Sequence, residues 1–216
     1  MGIIVLAVGS GLLGLWLYFF PSYSWHQKMT VEVEVDGQVY SGSSVVNMTV
    51  DGIREPMQFA NVARHLSMQG EAVVVELPGD QYVFALLTYD AYLTGKVFHD
   101  LVGGVVTEPE KGWANKIRDV RETRKLDPSD YPMLVTFTDI TDPKTVKKVD
   151  PENLGATFGP GVSLKRITLE IIDEPAMEGK IERLLVWLDD LKKYRSDPNN
   201  PFTNTLPKEI GYLRSK

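Results

Sequence analysis

The chain opens on an apolar block and then changes character. Residues Gly2 to Phe20 (GIIVLAVGSGLLGLWLYFF) carry no charge. A helix over this run covers roughly 28 Å, close to the bilayer hydrocarbon core. Backbone groups in lipid must be satisfied within the segment, so a helix is the expected form. Trp16, Tyr18, Phe19 and Phe20 crowd its C-terminal end, and Tyr23 and Trp25 follow. Rings of this kind settle at headgroup level, so the six read as an interfacial belt. Pro21 stops the helix.

Past the belt the periodicity becomes two. Met29 to Val35 (MTVEVEV) alternates, Asp36-Gly37 follows, and QVYSGSSVVNMTV continues. Asp-Gly between such runs predicts a hairpin, because a I′ turn needs positive φ at both positions. Gly42 inside the second arm predicts a bulge or bend. Asp51 to Gln69 lacks clean periodicity and reads as loop. Glu71 to Leu77 (EAVVVEL) and Gln81 to Thr88 (QYVFALLT) form a second hairpin around Pro78-Gly79-Asp80. Asp90 to Leu101 is ambiguous between helix and loop.

Helical spacing returns at Trp113 to Leu126, through Trp113, Ile117 and Val120. Strands are expected at Met133 to Thr138, Thr145 to Val149 and Val162 to Ile172. A brief helix starts at Asp150-Pro151 and ends at Gly159-Pro160-Gly161. Glu178 to Tyr194 shows the clearest amphipathic stripe of the later chain: Ile181, Leu184, Leu185, Leu188 and Leu191. Ser196 to Lys216 reads as an irregular surface tail. The fold class expected is α+β: a single N-terminal transmembrane helix, then a mainly antiparallel sheet domain with a few packed helices. The organisation expected is an anchor over 1–22, a soluble domain over 23–195 and a tail over 196–216. The soluble piece is expected to fold without the anchor.

Composition narrows the function. The chain has no cysteine, a net charge of −6 and 24% charged residues. That removes disulfide scaffolds, thiol chemistry and a lipoprotein attachment site. An acidic chain argues against a nucleic-acid partner. No Lys or Arg precedes the apolar run, and bulky aromatics occupy the place of a cleavage site, so an uncleaved anchor is expected. Only His26 and Lys28 follow the run closely. With no cationic cluster to hold the following domain in the cytoplasm, an inner-membrane anchor with a periplasmic domain is expected.

Candidate chemistry is sparse. Gly9-Ser10-Gly11-Leu12-Leu13-Gly14 matches G-x-G-x-x-G, but the residues after it are apolar all round, unlike a dinucleotide-binding helix. The pairs Ala7/Gly11 and Ser10/Gly14 suit close approach of membrane helices. His26, His65 and His99 lack metal-ligand spacing. Ser41-Gly42-Ser43-Ser44 lacks a nucleophile elbow. Asp139, Asp142, Asp150 and Glu152 cluster around two Asp/Pro turns without a calcium-loop pattern. Lys116, Arg118, Arg121, Arg124 and Lys125 make the one basic concentration. Its plain reading is a solvated face interleaved with Asp119 and Glu122. The sharper reading is an anion or headgroup contact at Arg118, Arg121 and Lys125. No catalytic residue, metal ligand or cofactor is expected.

At SYSWHQK, VDGQVYSGSSVV, GEAVVVEL followed by FALL, and DPENLGATFGPGVSLKRITLEIIDEP, the chain resembles a group of uncharacterised proteobacterial envelope or lipoprotein-like proteins. They share a hydrophobic or lipoprotein-like leader, a Y-S-W-x-Q-K start and an F-G-P-G-V-x-L-K-R-I-T segment. The resemblance covers most of Tyr23 to Pro175. It implies an envelope location and no particular activity, and the missing lipobox here leaves the helix as the anchor. The function expected is a membrane-anchored extracytoplasmic binding or scaffolding domain. Its partners would be membrane lipid and an envelope protein. The alternative is an envelope hydrolase with a Ser or Asp site.

Overall fold

The computed structural model describes residues 12, 14–52, 66–87, 91–103, 112–188 and 214–215. It is α+β, with mostly antiparallel strands and few, short helices. Residues 14–19 are helical, and the Phe20 amide still reaches the Trp16 carbonyl before Pro21 breaks the pattern. Among the described residues no helix is long and apolar enough to cross a membrane. Most of the expected anchor lies outside them.

The chain divides into two compact units. The first takes Met1–Trp25, Met48–Ser67 and Ala91–Val120; the second takes His26–Asn47, Met68–Asp90 and Arg121–Lys216.

The first unit holds three short helices, α1 (Ala91–Val97), α2 (His99–Val102) and α3 (Trp113–Ile117), packed on one another. Phe98, Val102, Trp113, Ala114 and Ile117 are buried. The Trp25 and Trp113 rings meet edge to face at 5.7 Å.

The second unit is built on strands. β1 (Ser22–Val35) and β2 (Gln38–Asp51) flank the Asp36-Gly37 turn, whose φ angles are 49° and 83°. Both positive values are what a I′ turn requires. β9 (Val162–Ile172) pairs antiparallel with β1, placing Val31 opposite Ile167 and Met29 opposite Leu169. Alternation buries Val31, Val33, Ile167, Leu169 and Ile171. On the other face Glu32 pairs with Arg166 at 2.6 Å.

With β3 (Leu66–Glu71), β6 (Thr123–Lys125) and β10 (Arg214–Ser215), these strands form a sheet ordered β10-β3-β2-β1-β9-β6. A second sheet runs β4-β5-β7-β8: β4 (Val73–Leu77), β5 (Gln81–Ala85), β7 (Leu134–Phe137) and β8 (Val146–Val149). The rich run EAVVVEL is split between them. Glu71 ends β3 and Val73 starts β4. Gly42 of β2 lies where β4 crosses closely, and a Cβ there would overlap the Val74 carbonyl. The glycine therefore serves interstrand approach more than a bend.

Each sheet position has a direction. In the small sheet Phe84 lies opposite Val135, Ala85 opposite Leu134, and Thr136 opposite Lys147. One face carries Phe84, Val135, Phe137 and Val146 into a core with Ile181, Leu185, Trp187 and Leu188. Phe84–Phe137 and Phe137–Trp187 ring contacts, both 5.4 Å, run through it.

Several expectations change here. The helix expected over Trp113 to Leu126 ends at Ile117, and Thr123–Lys125 is strand instead. Beyond Val120 no apolar residue arrives until Leu126 to hold a helix against a core. The free edge of β9 takes the segment, with the Leu126 amide on the Ile167 carbonyl. The loop expected up to Gln69 contains β3, formed by pairing rather than by local propensity. The amphipathic helix over Glu178 to Tyr194 is seen as α5 (Lys180–Leu184) alone; residues from 189 to the end of the expected helix lie outside the described set. Leu185 leaves helical geometry at φ −108°, ψ 77°. That lets Trp187, which a continuing helix would point away from Leu185 and Leu188, enter the core and donate to the Ile140 carbonyl at 2.7 Å. Arg214–Ser215, inside the expected irregular tail, pairs with β3.

Candidate functional site

The second face of the small sheet supplies a cavity. Strand alternation places Val83, Thr136 and Lys147 on the face opposite the aromatic core. A pocket of about 370 Å³ opens there, lined by Asp80, Thr136, Thr138, Lys147, Lys148 and Thr157 among others. Asp80 comes from the β4–β5 turn, where it holds φ 55°. The threonines at 136 and 138 come from β7 and its exit. Thr157 comes from α4 (Gly155–Phe158), a short helix that starts after buried Leu154. Lys147 and Lys148 point to alternate sides of β8, and because β8 is an edge strand both reach the opening.

The pocket is polar and carries two ammonium groups against one carboxylate. Neither lysine makes an ion pair with a described residue. Thr136 is only 4% exposed, and its hydroxyl makes no hydrogen bond to a described residue. Thr136 lines the pocket, so its hydroxyl is a donor and acceptor offered to whatever occupies the cavity. Such a cavity can hold a small polar ligand, with point charges at the rim and hydroxyls inside.

The residues singled out from sequence fall elsewhere. Trp16 and Tyr18 are 61% and 57% exposed on the N-terminal helix, with Phe19 and Phe20 half-buried at its end. Tyr23 and Trp25 are 5% and 3% exposed. β1 begins at Ser22, and alternation turns both inward. The Tyr23 hydroxyl and Trp113 Nε1 are buried with no hydrogen-bond partner among the described residues.

Arg121 is committed to Asp173 at 3.1 Å, and Arg124 to Glu122 at 2.9 Å. Arg118 follows α3 in the first unit, while Lys125 sits on the edge strand β6 opposite Thr168. Strand and turn geometry thus break up the single helix face on which Arg118, Arg121 and Lys125 were expected.

The acidic cluster serves turns. Asp139 accepts from the amide and hydroxyl of Thr141, at 2.9 and 2.7 Å, and these bonds hold its carboxyl below the ordinary range. Asp142 accepts from the Lys144 amide and Asp150 from the Glu152 amide, both at 2.9 Å. Among the described residues no group of three metal-ligating side chains comes together. His99 Nδ1 lies 3.0 Å from the Lys96 carbonyl, His26 is half-buried on β1, and His65 lies outside the described residues. Ser44 is buried and donates to the Glu71 carbonyl.

Sequence reasoning passed over Thr136, Lys147 and Lys148. The one available signal was Lys-Lys inside a four-residue strand flanked by valines (VKKV). Charges on an edge strand are also a common guard against edge pairing, so that signal alone named no site. No family model matches this chain, and no curated protein or solved structure matches it either.

Proposed function

We propose that this protein is a membrane-anchored, extracytoplasmic binding domain of the cell envelope, tethered by its N-terminal helix. One observation carries the anchor. Leu15, Trp16, Leu17 and Tyr18 are consecutive helical residues, each 57–61% exposed. Successive residues of a helix are about 100° apart, so these four reach every side of it. A helix resting on its own domain buries a stripe; this one offers apolar side chains in all directions. Lipid is the cover that suits an apolar surface without a polar face. The uncharged run from Gly2 and the resemblance to envelope proteins favour the same reading.

The domain's part is binding. The polar pocket beside β8 offers charged and hydroxyl groups but no nucleophile with an adjacent base. The absence of a cationic cluster after the apolar run supports a periplasmic domain in an inner-membrane, single-pass arrangement.

Carbonate washing of membranes from cells making the full chain tests the anchor, with retention in the pellet expected. Release into the supernatant would remove the anchored reading. Alkaline phosphatase fused after Lys216 tests orientation: activity is expected, and an inactive fusion with a protease-protected domain in spheroplasts would place the domain in the cytoplasm.

A further inference from the structure

We propose that the pocket beside β8 binds a phosphate-type oxyanion carried on a small hydroxylated molecule. The inference rests on reading the domain as a binding module, and is independent of the membrane anchor.

Three observations converge. The first is local charge. The chain as a whole carries −6, yet this cavity is ringed by two lysines and one aspartate. Both ammonium groups lack a protein counter-ion among the described residues. Ammonium groups beside a concave surface concentrate anions, and each offers three donors.

The second is the floor. Thr136 is more than nine-tenths buried, lies opposite Lys147 in the β7–β8 register, and keeps its hydroxyl unpaired. A guard against edge pairing needs outward lysines alone; it does not need a hydroxyl lining the cavity beside them. An oxyanion with several acceptor oxygens would take a bond from Thr136 and charge-assisted bonds from the lysines.

The third is the remainder of the lining. Asp80, Thr138 and Thr157 supply an acceptor and two hydroxyls around a volume of about 370 Å³. That exceeds what inorganic phosphate fills, and lies at the low end of small-molecule sites. A carboxylate facing the space repels a bare anion but accepts bonds from hydroxyls. The ligand is therefore an oxyanion attached to a hydroxylated body, as in a glycerol or sugar phosphate. The same phosphomonoester chemistry could arrive free or as a lipid headgroup.

The test is amide NMR of the full-length protein in non-ionic detergent, following Thr136, Lys147 and Thr157. Three probes are titrated separately: inorganic phosphate, glycerol 3-phosphate and dihexanoyl phosphatidic acid. Saturable shifts are expected with glycerol 3-phosphate at or below millimolar Kd, weaker with phosphate. The K147A/K148A pair should weaken binding about tenfold or more. T136V, which keeps shape and loses the hydroxyl, should weaken it at least about threefold with an unchanged unfolding midpoint. K165A, at a lysine paired with Glu34, should leave it unchanged. Tighter binding of the phosphatidic acid than of glycerol 3-phosphate would support the proposal and make the headgroup the source; the reverse supports a free metabolite. No saturation below about 20 mM, or equal binding by the lysine pair variant, would overturn it. Binding of phosphate by a chain that washes off membranes would sink the anchor and leave this site standing. Membrane retention without phosphate binding would do the opposite.

Discussion

Removing the carboxylate of Glu71 should destabilise the second unit more than any single surface change. Glu71 ends β3 at 3% exposure, and its carboxylate accepts the amides of Lys180 and Ile181, at 3.2 and 3.0 Å. These are the first amides of α5, which have no partner within the helix. Gly179, which precedes them, makes no side-chain cap, so the strand provides what the helix start lacks. In Glu71→Ala both bonds vanish, and the Ile181 amide is left in a buried site. Hydrogen bonds to a charged group contribute about 1.5–3 kcal/mol each. Against that, the variant no longer has to bury a carboxylate, whose desolvation costs several kcal/mol. The balance should resemble loss of a strong helix cap plus one orphaned donor, a destabilisation of ~2–4 kcal/mol. For a chain of this size that lowers Tm by about 5–15 °C. Glu71→Gln keeps shape and one acceptor, and should fall between the variant and the parent. Urea unfolding followed by tryptophan emission reads it, since Trp187 lies three residues beyond α5 in the same core. A Glu71→Ala midpoint matching the parent would refute the cap. A Gln variant worse than Ala would show that an uncharged carboxamide, whose NH2 faces two amide donors, is less tolerable there than no side chain, so that charge rather than shape matters.

Three further outcomes are expected. Leu188→Ala empties a 3%-exposed core position and should cost about 2–5 kcal/mol; an unchanged melting curve would take Leu188 out of the core. Tyr23→Phe removes a buried hydroxyl that has no partner among the described residues, so stability should hold or rise by up to about 1 kcal/mol, whereas a clear loss in thermal unfolding would reveal a bond to that oxygen. Asp139 titrates below its ordinary 3.8, so the turn is at full strength above the unfolded carboxylate's pKa and loses that support as pH falls through the lower, folded value. The Thr141 amide shift should follow this acid transition, and in Asp139→Asn it should not move with pH over that range.

The sequence was most legible where structure is decided locally. Asp36-Gly37, Pro78-Gly79-Asp80 and the whole of β9 were each readable from a few adjacent residues, because turn sterics and alternation act at short range. β3 and β6 were not, since SMQG and TRK become strands by meeting an open edge made far away in the chain. The helix at Glu178 was readable as to its buried face, through Ile181, Leu185 and Leu188. Its end was not, because it depends on a cavity for Trp187 beside Ile140. Glu71 looked like one more strand charge, and only the arrival of α5 makes it a cap. The candidate pocket was the least legible feature. Its walls come from the β4–β5 turn, β7, β8 and α4, and no spacing in the sequence links Asp80 to Lys147 or either to Thr157.

The place of β9 in the sheet fixes a timetable for making this protein. β1 is synthesised early, but Val31 cannot meet Ile167 until most of the chain has left the ribosome. During elongation β1 therefore carries an open hydrogen-bonding edge and the apolar row Val31, Val33, ready to pair with any other extended chain. Closing so long a loop is slow, which lengthens that exposure. A holdase that covers the nascent hairpin should raise the yield of folded protein.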